Sequence, residues 1–184
     1  MEQLLQLIIM LWLNMETYQN PNRAWQEMVV PSERASQQVS RYSDDRQQLF
    51  ESINAERAKM RIQPLKRSGI LDVSSNQKII DQMQYNQRGH ESPSGKTTAD
   101  WFKLVGYKGN LRGENLAMGS QDFIPEDNLA VIQSWLNSKA GHKEIMLSSD
   151  FSEVGIAKKG KFIAVHFGGN ANDDAKKKYK AYMR

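Results

Sequence analysis

Cysteine is absent from the 184 residues, which excludes a disulfide framework, a zinc knuckle and a thiol nucleophile and leaves the redox compartment open. No Asn-x-Ser/Thr sequon occurs, so nothing supports a glycosylated form. Charge of one sign is also scarce: the formal net charge is +4 and the pI about 9.2, with Lys and Arg scattered, and we expect no nucleic-acid partner. The one dense basic run, Lys176-Lys177-Lys178-Tyr179-Lys180, reads as a solvated tail. Long apolar runs are missing as well. Leu4 to Leu13 is apolar apart from Gln6, about half of the ~20 residues that a spanning helix needs, so no transmembrane span is expected. It lacks a basic lead and an Ala-x-Ala-like exit, which makes it a poor cleavable signal peptide. Free termini fray unless something covers them, so the run is expected to dock on a protein partner or a larger assembly, with packing on its own domain as the alternative. Two enzyme signatures are missing: there is no Gly-x-Ser-x-Gly elbow, and His90-Glu91 has no second histidine four residues on. Gly89 to Thr97 ends like a phosphate loop, but its glycines are six apart and a helix, not a strand, precedes it.

The length suits one domain with extensions. Residues 1–42 read as a docking arm and polar connector, broken by Pro21 and Pro31; 43–170 as the domain; 171–184 as the basic tail. An N-cap at Ser43-Asp44-Asp45 opens a helix to about Met60, with Leu49, Phe50, Ile53, Ala55 and Met60 at helical spacing. A second helix spans about Ser75 to Gln87, its buried stripe Ile79, Ile80 and Met83, closed by Gly89. His90 to Gly95 is a loop and Thr97 to Val105 a short helix. Leu111 to Met118 is a strand, and Glu126 to Asn137 a helix with Leu129, Ile132, Trp135 and Leu136 inward. Glu153–Ala157 and Phe162–Phe167 form a hairpin across Lys158-Lys159-Gly160-Lys161. Helices preceding a terminal hairpin point to an α+β layered domain with a central antiparallel sheet, which excludes most dinucleotide folds.

The chemistry is sparse and clustered. Glu114 lies in Arg112-Gly113-Glu114-Asn115-Leu116-Ala117. His90 follows Gly89, and His142 follows Gly141, so both sit where the backbone can turn. One carboxylate and two imidazoles make a polar cleft if the fold joins them. They also make a divalent-metal ligand set, His90 and His142 the metal-binding pair and zinc the expected guest, with a position left for water. The same groups can instead form a metal-free hydrogen-bonded network, so no cofactor is required. Ser138, four residues before His142, is read as a turn or cap residue ahead of a nucleophile. His166, on an alternating strand with Phe162 and Ala164, is read as a satisfied sheet histidine, and Glu153 as a solvated strand-end carboxylate.

Asn54-x-x-Arg57, Gln63-Pro64-Leu65, His90-Glu91-Ser92-Pro93, Gly106-Tyr107, Gly113-Glu114-Asn115-Leu116-Ala117, Trp135-Leu136-Asn137-Ser138, Gly141-His142, Val154-Gly155-Ile156 and Phe167-Gly168 follow one another in an order that resembles the CAP superfamily. These are the cysteine-rich secretory and pathogenesis-related proteins, whose bacterial and viral members are often called SCP-like. The resemblance covers about Gln47 to Gly168, and the absence of cysteine is similar to the bacterial or phage branch. It implies an α-β-α sandwich with a cleft into which His90, Glu114 and His142 point. Many relatives carry a second glutamate on the helix near Trp135, and the resemblance aligns Ser138 of this chain with that position. That departure removes an acid, base or ligand.

Three functions follow as expectations. The first is a binding module, docked through its arm, whose cleft (His90, Glu114, Ser138, His142) takes a small ligand, glycan, lipid or peptide. The second is a structural or decoration subunit of a phage-like particle with an idle cleft. The third is a metal-dependent hydrolase of peptide or cell-wall material using Glu114 and His142. An enzyme is the less expected outcome. The expected place is extracellular, on the cell surface or on a virion.

Overall fold

The computed structural model describes residues 33–119 and 127–171, together with 174 and 177. The apolar run Leu4 to Leu13 and most of the basic tail therefore lie outside the described residues. The chain divides into two compact units, Met1–Arg41 and Tyr42–Arg184; of the first, only the start of a helix is described.

That helix, α1 (Glu33–Lys59), runs straight through the expected N-cap at Ser43. No Gly or Pro lies between residues 33 and 59, so nothing interrupts backbone hydrogen bonding there. Leu49 and Ile53 are fully buried, whereas Met60 falls past the helix end and is 60% exposed, so it does not belong to the stripe. The chain then forms the short β1 (Lys66–Arg67), α2 (Gly69–Tyr85), α3 (Thr98–Leu104), β2 (Leu111–Met118), α4 (Asn128–Leu136), α5 (His142–Met146), β3 (Glu153–Lys159) and β4 (Phe162–Gly169). β1 and α5 were not foreseen. Thr97 and Asp100 close a reciprocal capping box at α3, and the Asp127 carboxylate caps α4 through the Leu129 amide.

The strands form one sheet in the order β1-β3-β4-β2. β2, β4 and β3 pair antiparallel as expected, and β1 adds a parallel edge to β3, so the sheet is mixed. β4 is central and buried at all eight positions. Alternation along the strands gives the sheet two different faces. One carries small residues, Gly155, Ala157, Ala164 and Gly168, and α2 lies directly on it; a Cβ at Gly155 would overlap the Leu71 backbone. The other carries Val154, Ile156, Ile163, Val165 and Phe167, which join Leu49, Ile53, Ile132, Trp135, Ile145 and Phe151 in the main core. Helices thus cover both faces, an α-β-α sandwich.

Two polar hubs, one buried and one half-buried, tie the layers. Arg57, 1% exposed, donates to the carbonyls of Gln63, Met146, Ser148 and Phe151, joining the end of α1 to the segment after α5. Asn54 exchanges two hydrogen bonds with the Leu65 backbone, fixing the turn into β1.

Helix α2 departs most from expectation. It begins at Gly69, and the left-handed Asn86 (φ 49°), not Gly89, ends it. Its sheet-facing residues are Leu71, Ser74, Ser75, Lys78, Ile79 and Gln82, whereas Ile80 and Met83 are exposed at 45% and 39%. Small hydroxyls fit against a small-residue sheet face where large aliphatics would not, so the polar stripe is the buried one. On α4, Leu129 is likewise outward, at 69% exposure, and Val131 takes the inward place beside Ile132 and Trp135.

Candidate functional site

The site is assembled at β2, the edge strand. Alternation turns Glu114 toward the α2 side, and the register places it opposite His166 on β4. His166 Nε2–H donates to Glu114 Oε2 at 2.9 Å, and the Ser74 hydroxyl reaches His166 Nδ1 at 2.8 Å. The Phe102 ring stacks on His166 with centroids 4.9 Å apart. Glu114 Oε1 accepts from His90 Nδ1 at 2.7 Å. Both carboxylate oxygens therefore hold an imidazole N–H, and the side chain has no exposed surface.

Burial opposes the ionised form of Glu114, but the hydrogen bonds from His166 and His90, aided by the Lys78 charge, outweigh it and lower its pKa to about 2. Lys78 is itself fully buried. Its ammonium spends its three protons on the carbonyls of Gly89 (2.6 Å) and His90 (3.0 Å) and on Ser92 Oγ (2.8 Å). Burial pushes the Lys78 pKa down, against the opposing pull of Glu114 and Asp81. Ser92 Oγ also accepts from Trp101 Nε1 at 3.1 Å, so the loop bearing His90 is pinned from both α2 and α3.

His142 comes from the other side of the edge, at the first position of α5 behind the left-handed Gly141 (φ 93°). Asn115 Nδ2 donates to its carbonyl at 2.9 Å, tying α5 to β2. The His142 ring stands 6.3 Å from that of His90 and 6.5 Å from Trp135. Its Nδ1 lies 2.9 Å from Ser138 Oγ, and the same hydroxyl oxygen accepts the Ala140 amide at 3.0 Å. Burial, then the charges of His90 and Arg88, depress its pKa to about 4, so the ring is neutral at pH 7.

Beside His142 opens a cavity of about 680 Å³. Arg88, Ser134, Ser138 and His142 supply its polar lining, and Leu116, Ala117, Met118 and Trp135 its apolar wall. The fold thus brings His90, Glu114 and His142 together, but unequally. His142 and Ser138 face the cavity, the His90 side chain is 18% exposed behind them, and Glu114 is enclosed.

Three participants escaped the sequence reading. His166 is a satisfied sheet histidine, yet its partner is the site carboxylate itself; its position on the same face as Ala164 was legible, its register opposite Glu114 was not. Lys78 sits on a helix face that hydrophobic periodicity assigns to solvent, and Ser74 falls ahead of the helix as the sequence bounds it. Glu153 is corrected too, since its Oε2 accepts the Tyr107 hydroxyl at 2.8 Å and is not simply solvated.

Zinc sites take three or four protein ligands. Among the described residues no three His, Cys, Asp or Glu side chains are placed to hold a metal. Glu114 has committed both oxygens and each histidine its Nδ1, so the pair offers two Nε2 atoms at most. Two Nε2 atoms are one short of the three protein ligands of a usual zinc centre.

A mixed sheet sandwiched by helices, with a cavity beside His142 at its edge strand, is the architecture of a SCP-type domain. Residues 50–161 match the family model "CAP: Cysteine-rich secretory protein family", and the chain belongs to that family. Among solved structures it is similar to an extracellular protein containing a SCP domain from Bacillus anthracis, with 26% identity and a TM-score of 0.64, covering 70% of this chain and 41% of that one. An outer surface protein from Borrelia burgdorferi shares the fold at 22% identity and a TM-score of 0.62, covering 70% of this chain and 94% of that one. A cysteine-rich secretory protein from Staphylococcus aureus does so at 16% and 0.59, covering 70% and 39%. The match thus spans about two fifths of the length of the Bacillus protein. No curated protein gives a significant match. No described helix is long and apolar enough to cross a membrane.

Proposed function

We propose that this CAP domain is a binding module whose edge cavity takes a small ligand, and that residues 4–13 dock it on a larger assembly outside the cell or at its surface. The observation that carries the cleft reading is the state of Glu114. A general base needs a free oxygen within reach of the proton that it takes. Glu114 instead holds two imidazole protons and is enclosed, which makes it a fixed counter-charge that orients His90. The cavity beside it is roomy and of mixed polarity, as ligand sites are. Support for the location comes from the extracellular Bacillus protein and the Borrelia surface protein, and for docking from the apolar run alone.

The test compares binding with hydrolysis. Native protein and Glu114→Gln are incubated with peptide and cell-wall fragments, and cleavage is followed by mass spectrometry while circular dichroism monitors the fold. No turnover by either protein is expected. Turnover that disappears in a folded Glu114→Gln variant would establish the hydrolase instead.

A further inference from the structure

Resting on the binding reading, we propose that Ser138 donates to His142 Nδ1 and that the cavity grips a compact anionic group, a phosphate or a carboxylate, between Arg88 and the Nε2–H that this leaves on His142. A serine hydroxyl has one proton to give. Ser138 Oγ already accepts the Ala140 amide, and the acceptor within its reach is His142 Nδ1 at 2.9 Å. Donation of that proton leaves Nδ1 as acceptor and puts the ring proton of neutral His142 on Nε2. Since Nδ1 is occupied, Nε2 is the nitrogen left for the cavity that His142 lines. A carboxylate in place of the hydroxyl would do the reverse, accepting from Nδ1–H and leaving a bare Nε2.

The second element is charge. Arg88 is exposed on the same cavity, and among the described residues it forms no ion pair or hydrogen bond. No acidic residue lines the cavity. The two carboxylates nearest in effect are accounted for: Glu114 is enclosed with both oxygens committed, and Glu144 is exposed on α5 outside the lining. Arg88 already lowers the His142 pKa, which shows its field reaching the ring. A planar guanidinium and a directed N–H across a cavity are complementary to an oxyanion and repel a metal cation.

Two measurements decide it. Long-range proton–nitrogen correlation on histidine-labelled protein reads tautomers directly, and His142→Asn assigns the signal among the three histidines. His142 is expected as the Nε2–H form, shifting toward a mixture in Ser138→Ala; an Nδ1–H form in the native protein overturns the proposal. The second is titration with inorganic phosphate, octyl phosphate and octanol, read on the His142 and Trp135 signals. Binding of either phosphate, weakened about tenfold or more by Arg88→Gln, is expected for a charge-assisted contact. If both phosphates bind alike the free anion is the recognised species, and if octyl phosphate binds far better an anionic headgroup on a chain is; either supports the site. Octanol binding as tightly as octyl phosphate overturns the anion site but leaves the binding module standing. Silence of all three probes overturns the anion site and leaves the binding reading to its own test.

Discussion

On the acid side of neutrality two side chains at the site tie the fold to pH, and both act in the same direction. His142 has a folded pKa of about 4, below its ordinary 6.5, so protonation favours the unfolded chain. Its contribution is complete above pH 6.5 and is lost as pH falls from there toward 4. Glu114, held at about 2 against an ordinary 4.5, contributes fully above 4.5 and loses that contribution toward 2. Thermal melts across pH 8 to 3 should therefore be flat above about 6.5 and then decline in two overlapping stages. His142→Asn should remove the upper stage only; a decline that begins below pH 4.5 in the native protein would contradict the His142 assignment. At this scale the three site residues were legible because glycine-flanked histidines and a glutamate between Gly113 and Asn115 stand out in a polar sequence. What completes the network was not. His166 looks like any strand residue until the register sets it opposite Glu114, and Lys78 looks solvent-facing until its helix is laid on the sheet.

Among elements, the seating of α2 on β3 governs where the site lies, because Ser74 and Lys78 reach it only if the helix touches the strands. Gly155 permits that approach: an added methyl would meet the Leu71 and Asp72 backbone, which no rotamer change relieves. Gly155→Ala should cost about 3 kcal/mol, the upper end for overpacking, measured by urea unfolding. A change below about 1 kcal/mol would mean that helix and sheet are not in contact there. Arg57 fixes the opposite layer, and Arg57→Met would leave four backbone carbonyls without their donor, at a cost of at least ~3 kcal/mol. Hydrophobic period located the helices near Leu49, Trp101 and Trp135 and the hairpin near Gly160, because those faces meet large-residue core. It misassigned the inner face of α2, where a sheet surface of Gly and Ala selects small and polar partners. The Asn54-x-x-Arg57 pattern was visible as a motif, but its work as a clamp on distant carbonyls needs the fold to be seen.

For the whole molecule, the decisive feature is that, among the described residues, the buried residues of the main core lie between Leu49 and Phe167, and the site residues lie inside that span. The compact unit that holds them starts at Tyr42, and the family match covers residues 50–161. Sequence order alone revealed this domain, because nine short motifs in one succession constrain a fold more than any of them does singly; the polar connector before it gave no such succession. A unit that buries its own core should fold without what precedes it. A protein of residues 42–184 is thus expected to melt in one cooperative transition and to keep the His142 tautomer of the full chain. Hydrogen exchange sharpens the expectation: amides of the central, fully buried β4 should be the slowest, and those of the two-residue β1 among the fastest. If the shortened protein instead exchanges β4 amides within minutes, part of what stabilises the sheet comes from residues 1–41, and the site would depend on them as well.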